Sequence, residues 1–151
     1  MGFLDSLLGK TKLPEAKTDK LFAISTAAIT LEASLGYRPD GAAGICIKPM
    51  ESSHYETVRR EIEELLGMSM KETGTEYRLQ KDEYNYLWVV LSDPDLDDLV
   101  NAIQMVAQIL TEQGFGIQIL AAVFRFRGEA VIGGAEVFAL FRPLLTSIER
   151  V

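Results

Sequence analysis

The chain is organised around an apolar stretch near its C-terminus. Residues 115–142 read FGIQILAAVFRFRGEAVIGGAEVFALFR, two runs rich in β-branched and aromatic residues with the region of Gly128 between them. Both runs carry apolar residues at odd and at even positions, so a strand made from either run would be apolar on both faces. Strands of this kind are typical of sheets that are covered twice. We therefore expect a hairpin at the centre of a sheet, with a covering layer on each side.

Three further segments carry apolar residues at helical spacing, and a glycine follows each: residues 19–35, 53–66 and 93–113, followed by Gly36, Gly67 and Gly114. The first of these helices begins at Asp19 or at Ser25. Ser53 and Glu56 form a capping box at the start of the second helix. Asp93 can cap the third, and glycine beyond a helical pattern predicts where each helix ends.

Strand patterns fill the intervals between these helices, at residues 43–48, 75–80 and 84–91. Residues 38–41, Arg-Pro-Asp-Gly, predict a turn before the first strand, because proline fixes one φ angle and glycine permits another. The order from Ala43 to Phe126 is β-α-β-β-α-β, the split arrangement of ferredoxin-like domains. We predict an α+β domain with a largely antiparallel sheet, an N-terminal helical extension and an added C-terminal strand. The second face of the sheet needs the N-terminal helices, a second copy of the chain or a ligand as its cover.

Composition narrows the class of protein. A chain of 151 residues with 48% hydrophobic and 25% charged residues is typical of one soluble globular domain. Its net charge of −7 argues against nucleic acid as a partner, since such proteins need clustered positive charge. No apolar run reaches the ~18 residues of a membrane span. The chain has one cysteine and no secretory signal, so we predict a cytoplasmic protein. Peripheral contact with the inner face of the membrane is compatible with this prediction.

Residues 1–17 form an amphipathic segment followed by a polar linker, and we expect residues 18–151 to make the single domain. Phe3, Leu4, Leu7 and Leu8 fall within one arc of a short helix, and lysines follow them. Two interpretations compete for this arc. It inserts into a membrane surface, or it docks in a groove of its own domain or of a partner.

Residue types suited to catalysis or metal binding are scarce. Zinc needs several histidine or cysteine ligands, and the chain has one of each, Cys46 and His54. A Cys-His nucleophile is disfavoured, because Cys46 lies in an apolar strand where thiols are usually inert. The acidic run of residues 93–98 lacks the glycine and glutamate positions of a calcium loop, so helix capping explains it better. We predict no catalytic residue, no metal and no cofactor.

Two groups of side chains remain as candidate ligand contacts. His54, Tyr84 and Trp88 could line a pocket between the sheet and the N-terminal helices, although core packing also explains the aromatic residues. Arg125, Arg127 and Arg142 lie near the ends of the C-terminal strands, where they could bind an anion or an acidic partner. Solvated strand ends are the alternative explanation for these arginines.

Four segments in the same order resemble one family: MGFLDSLLGK, LFAISTAAITLEASLGYRPDGAAGICIKP, YLWVVLSDPDLDDLV and EQGFGIQILAAVFRF. They are similar to the PspAB family, proteins named for association with phage shock protein A. The resemblance covers most of residues 1–126, and the tail RPLLTSIERV departs from it. It implies a bacterial or archaeal cytosolic protein linked to membrane stress, with no established catalytic activity and no functional residue to carry over.

Three hypotheses follow. The first is a non-enzymatic binding or adaptor protein of the envelope-stress system that engages a PspA-like or membrane-associated partner through Phe3, Leu4, Leu7 and Leu8. The second is a small-ligand binder or minor enzyme that uses the pocket of His54, Tyr84 and Trp88. The third is a homodimer joined through the doubly apolar sheet.

Overall fold

The computed structural model describes residues 23–128 in full and the backbone of residues 136–141. Within these ranges the chain forms three α-helices and five strands: α1 (Ala23–Leu35), β1 (Tyr37–Ile47), α2 (Ser53–Thr73), β2 (Glu76–Lys81), β3 (Leu87–Ser92), α3 (Leu96–Glu112), β4 (Ile119–Gly128) and β5 (Glu136–Phe141). A short 3₁₀ turn, Gly116–Gln118, leads into β4. The predicted N-terminal segment and linker lie outside the described residues.

The strands form one antiparallel sheet in the order β2-β3-β1-β4-β5. Strand β3 lies between β1 and β2, and β1 lies between β3 and β4. Each of the two βαβ units is thus split by a strand of the other, which is the order expected of a ferredoxin-like core with one strand added at its edge. The predicted α+β class and the largely antiparallel sheet are confirmed.

The predicted place of the C-terminal hairpin is wrong. Strand β1 occupies the middle of the sheet, and β5 lies at one edge. All five residues from Ala43 to Ile47 are buried, which is what the central strand of a sheet requires. Small residues in the sequence GAAGICI made β1 look less apolar than the C-terminal runs, although its neighbours bury it on both faces.

The hydrophobic core lies between the sheet and the helices α2 and α3. We call this side of the sheet the helix face, and it is formed by alternate residues such as Ile45, Val89 and Phe124, each with 0% exposure. Ile62 of α2 and Ile103 of α3 pack in the same cluster. Burial of large apolar side chains at this density supplies most of the free energy that holds such a domain together.

Helix α1 lies beside α3. Ser25 Oγ donates to Asp97 Oδ1 of α3 at 2.6 Å, and Ala28 is buried in the core. The outer side of α1 is exposed, with Ile29 at 70% and Leu35 at 65%. In the part of the chain that the structure describes, no helix combines the length and the apolar content that crossing a bilayer requires.

Helix α2 is longer than the glycine at position 67 predicts. It continues to Thr73 and ends at Gly74, whose φ of 80° is left-handed, and the Gly74 N–H donates to the Met70 carbonyl. Gly67 therefore lies inside the helix, with the Tyr77 hydroxyl 3.7 Å from where its Cβ would be. At the other end the capping residue is Ser52, one position before the predicted Ser53, and its side chain accepts from the Tyr55 N–H at 3.0 Å.

The predicted turn of residues 38–41 lies inside β1. The register between β1 and β4 shifts between Pro39 and Ala43, so the turn-forming residues make an irregularity within a continuous strand. Gly41 supplies the positive φ of 65° that this irregularity needs. The Asp93 N–H donates to the Gly41 carbonyl at 3.1 Å. This hydrogen bond joins the irregularity in β1 to the segment between β3 and α3.

Asp93 has a different role from the predicted one. The capping residue of α3 is Asp95, whose side chain accepts from the Asp97 N–H at 2.8 Å. The Asp93 side chain is buried, where it accepts from the Thr75 hydroxyl at 2.6 Å and from the Asp95 N–H at 2.7 Å. Asp93 thus joins the beginning of β2 to the beginning of α3.

Candidate binding surface on the open face of the sheet

The side of the sheet opposite α2 and α3 carries a strip of small and apolar side chains. We call this side the open face. The strand register brings Gly44 and Cys46 of β1 between Val90 and Trp88 of β3 and Val123 and Ala121 of β4. Trp88, Val90 and Val123 are half-buried, whereas their neighbours on the helix face are fully buried. The described helices contact one another, α1 with α3 and α2 with α3, on the other side of the sheet.

A shallow trough runs along β1 on the open face. Its volume is about 210 Å³, and its lining is almost entirely apolar, with Ala42, Ala43, Gly44, Trp88, Val90, Val123 and Arg125 around it. Small residues on β1 form the floor, and larger residues on β3 and β4 form the walls. A Cβ atom on Gly44 would lie 3.4 Å from Trp88 Cε3, so the indole packs directly over this glycine.

Asp82 fixes the position of the Trp88 indole. Trp88 Nε1 donates to Asp82 Oδ2 at 2.9 Å, while Asp82 Oδ1 accepts from the N–H groups of Tyr84 and Tyr86 at 2.9 and 3.0 Å. The Trp88 N–H, followed by the two backbone donors, lowers the pKa of the Asp82 carboxyl. Trp88 is therefore an ordered side chain of the trough, because its ring is held from one edge.

Two arginines share one carboxylate at the β4 side of the trough. Arg125 Nε lies 2.8 Å from Asp40 Oδ2, without hydrogen-bond alignment, and Arg125 also donates to the Asp40 carbonyl at 3.0 Å. Arg127 approaches the same Asp40 oxygen at 3.3 Å. Arg125 and Arg127 thus pair with a carboxylate of the chain itself, and their contact with an external anion or an acidic partner stays a prediction.

Cys46 lies on the open face of β1 and is buried. Its side chain is 5% exposed but stays outside the core cluster of the helix face. Burial, followed by the negative charge of Asp82, raises the pKa of the Cys46 thiol to about 11. A thiol that is neutral at physiological pH and closed off from solvent is unreactive, which agrees with the inert role assigned to it from the sequence.

The three predicted pocket residues lie in three different places. His54 is in the first turn of α2, where its ring lies 5.3 Å from the Phe115 ring. Tyr84 is in the turn between β2 and β3 with 70% exposure, and its ring is 6.4 Å from that of Tyr86. Trp88 is on the open face, on the other side of the sheet from α2. Only Trp88 of this group takes part in the trough.

The remaining predicted contact residues lie outside the described residues. These are Arg142 near the C-terminus and the N-terminal residues Phe3, Leu4, Leu7 and Leu8. Their roles stay predictions from the sequence.

A second, wider cleft lies at the N-terminal end of α2. It has a volume of about 1060 Å³ and a mixed polar and apolar lining that includes Ser53, Tyr55, Arg59, Lys81 and Asn85. Arg59 is held in ion pairs with Glu56 at 3.0 Å and Glu63 at 3.2 Å. The Tyr55 hydroxyl is buried without a hydrogen-bond partner among the described residues, and its burial raises its pKa.

Within residues 23–128 no three His, Cys, Asp or Glu side chains come close enough together to hold a metal ion. The acidic run at the start of α3 caps that helix through Asp95, as described above. Burial, followed by the charges of Asp93, Asp95 and Asp97, raises the pKa of Asp98. The carboxylates therefore repel one another there.

Sequence reasoning missed Asp40 and Asp82 as the residues that organise the open face. Asp40 was interpreted as a turn residue, and its ion partners are about 85 positions away along the chain. Asp82 stands in the sequence KDEYNY, and an aspartate followed closely by an asparagine is a recognisable turn signal. In the structure Asn85 has the positive φ of 63° that such a turn uses. That signal predicts the hydrogen bonds to Tyr84 and Tyr86, but it does not predict the bond to Trp88.

The family model of PspA associated protein B matches residues 1–142. No curated protein and no solved structure matches the chain. Since the family model covers nearly the whole chain, the protein is a member of the PspA associated protein B (PspAB) family.

Proposed function

We propose that this protein is a non-catalytic binding protein, an adaptor in the PspA-linked response to envelope stress. The observation that carries the proposal is the trough on the open face. Exposed apolar surface with a charged border is the usual mark of a protein contact. Trp88 is an ordered aromatic side chain inside it, and tryptophan is among the residues that contribute most to binding energy at interfaces. Family membership supports PspA, or a protein associated with it, as the partner.

The N-terminal segment supplies a second contact in this proposal. Phe3, Leu4, Leu7 and Leu8 would form the apolar arc of a short helix, with Lys10 and Lys12 following it. An arc of this kind binds a membrane surface or an apolar groove of a partner. A helix of about eight residues is marginal alone in water, so it would become stable only on contact.

The proposal is tested with purified full-length protein and the PspA-like protein encoded in the same genome. Sedimentation or calorimetry should detect a complex, and vesicles containing anionic lipid should be tested separately. The double variant Leu4→Asp/Leu7→Asp should weaken binding at least about tenfold if the N-terminal arc is a contact. Leu35→Asp is the matched control, because Leu35 is an exposed leucine at 65% exposure on α1. Absence of any complex with the PspA-like protein and with vesicles would refute the proposal.

A second candidate function rests on the cleft at the start of α2. In this alternative the protein binds a small polar molecule between Ser53, Arg59, Lys81 and Asn85, with Tyr55 at the base of the cleft. The unpartnered Tyr55 hydroxyl supports this alternative, since buried polar groups normally have partners. A thermal-shift screen of metabolites tests it. A ligand whose stabilising effect disappears in Lys81→Ala, but persists in Lys71→Ala on the exposed end of α2, would favour it.

A further inference from the structure

Strand β2 forms one edge of the sheet, and within the described part of the chain no strand pairs with its outer side. The Asp82 N–H donates to the Tyr86 carbonyl at 3.0 Å, so these two residues are a hydrogen-bonded pair of the β2–β3 hairpin. In an antiparallel ladder every second pair is of this kind. By this alternation along the register, the N–H and C=O groups of Leu79 and Lys81 point away from β3, towards the outer edge.

The wide cleft at the N-terminal end of α2 runs along this edge. Gln80 lies on the open face, opposite Trp88, whereas Leu79 and Lys81 lie on the helix side of the strand. All three line the cleft, so it reaches both sides of β2 and opens at the outer edge. Its volume of about 1060 Å³ slightly exceeds the ~300–1,000 Å³ that is typical of small-molecule sites.

Helix α2 forms the opposite wall of the cleft. Ser52, Glu56 and Arg59 follow one another at helical spacing, so one side of the first two turns of α2 faces β2. Between the helix and the strand, the half-buried Leu79 and the buried Leu87 supply an apolar floor. A free backbone edge therefore lies next to an apolar floor and beneath a helix, which is the arrangement of sites that bind a peptide by strand addition.

Charge does not select the occupant of this cleft. Its lining contains two acidic and two basic residues, which are Glu51, Glu56, Arg59 and Lys81. Arg59 is already paired with Glu56 at 3.0 Å and with Glu63 at 3.2 Å. The groups that distinguish the cleft are neutral, namely the outward N–H and C=O groups of Leu79 and Lys81. They recur about 6.8 Å apart, which is the spacing at which another extended chain presents its own donors and acceptors.

From this geometry we infer that the cleft binds an extended peptide segment of a partner protein, which adds to the five-stranded sheet beside β2. The backbone of the peptide exchanges hydrogen bonds with Leu79 and Lys81. One apolar side chain of the peptide packs on Leu79 and Leu87 beneath α2, and the two neighbouring side chains lie on the open-face side. This site differs from the trough of the proposed function, and it holds a peptide in place of the small polar molecule of the second candidate function.

A display library of random short peptides supplies the probe. The library is selected against the full-length protein, and the peptides that bind are synthesised with a single N-methyl group on each backbone amide in turn. In a strand added to β2, only alternate amides face the sheet. N-methylation should therefore weaken binding at least about tenfold at every second residue and less than about twofold at the residues between them. Equal effects at all residues, or a library that yields no binder, would overturn the inference.

Proline at the outer edge locates the site on the protein. Lys81→Pro removes an N–H that points away from β3, so it should leave the melting temperature nearly unchanged and weaken the selected peptides at least about tenfold. Lys81→Ala is the matched control, because it removes the ammonium group but keeps the N–H, and its affinity should stay within about twofold of the wild type. Equal affinities of the two variants would overturn the inference. The N-methyl scan tests it even if Lys81→Pro fails to fold.

Amide hydrogen exchange separates the peptide from other occupants of the edge. In the free protein the Leu79 and Lys81 amides should exchange rapidly and the Gln80 amide slowly, and a selected peptide should slow the first two. Protection of Leu79 and Lys81 in the free protein would overturn the inference. It would assign the edge to a second copy if it rises with protein concentration, and to the chain's own residues if it does not. A metabolite that needs the Lys81 ammonium group, with no peptide binding, would overturn it in favour of the small-molecule alternative.

Discussion

The two faces of the sheet use neighbouring residues of the same strands for different purposes. On β4, Phe124 faces the helices with 0% exposure, while Val123 beside it is half-buried on the open face. On β3, Val89 is fully buried on the helix face. The neighbouring Trp88 lies on the open face, where its indole N–H donates to Asp82 and its ring packs over the small residues of β1. Residues of the helix face hold the domain together, whereas no helix of residues 23–128 covers the open face, which we propose as the binding surface. Substitutions that differ by one position along a strand should separate these two roles.

The largest expected difference is between two neighbours on β4. Phe124→Ala removes a fully buried ring and should lower the free energy of unfolding by about 3–5 kcal/mol. Val123→Ala removes two methyl groups from a half-buried side chain and should cost about 1 kcal/mol or less. Chemical denaturation of both variants measures the difference. Equal losses would mean that the open face is part of the core.

A matched pair of glycines gives the next largest effect. A Cβ at Gly128 would overlap the Tyr37 ring, so Gly128→Ala should cost about 1–3 kcal/mol of stability. A Cβ at Gly44 would make ordinary contact with Trp88, at 3.4 Å from Cε3, so Gly44→Ala should stay within about 0.5 kcal/mol. Thermal denaturation of the two variants decides. A larger loss for Gly44→Ala than for Gly128→Ala would contradict the assigned packing of Trp88.

The Asp82–Trp88 contact predicts a pH dependence of the open face. Because the Trp88 and backbone N–H groups lower the pKa of Asp82 in the folded protein, its stabilising effect is complete above the unfolded pKa of about 4. The effect is lost as the pH falls through the lower folded pKa. Asp82→Asn should therefore have a lower melting temperature than the wild type near pH 6, and the gap should close in strong acid. A gap independent of pH would assign the stabilisation to another group.

The smallest effect concerns Cys46, which should not react in the folded state. With a pKa of about 11, only about one thiol in a thousand is ionised at pH 8, and the side chain is 5% exposed. A thiol-specific reagent should modify native protein only as fast as it unfolds, and denaturant should make the reaction fast. Rapid modification of native protein would show that the open face admits solvent down to β1.

Local sequence patterns predicted an element correctly where the residues with apolar periodicity are also the residues that the fold buries. Helix α3 has apolar residues at helical spacing from Leu96 to Leu110, and these residues are the ones in the core. Glycines misled where tertiary contacts overrode their local preference. Gly67 lies inside α2, because that helix continues over the sheet as far as Gly74, and Gly41 forms an irregularity within β1 in place of a turn.

The organisation of the open face was not predictable from the sequence, because it depends on pairs of residues far apart in the chain. Asp40 meets Arg125 and Arg127 only after β1 and β4 have paired. The pattern of Tyr84, Tyr86 and Trp88 indicated one strand, but Asp82 holds Tyr84 and Tyr86 in the turn, and β3 begins at Leu87. The apolar residues on both sides of β3 and β4 were recognisable, yet which side the helices cover was decided by the topology.

Footprinting with hydroxyl radicals tests the assignment of the open face most directly. Full-length protein is labelled alone and in complex with the PspA-like protein of the same genome, and the oxidation of individual side chains is compared. Trp88 on the open face should lose reactivity in the complex, while Met68 at 59% exposure and Tyr84 at 70% exposure should keep theirs. Protection of Met68 or Tyr84, with Trp88 as reactive as in the free protein, would contradict the open face as the binding surface.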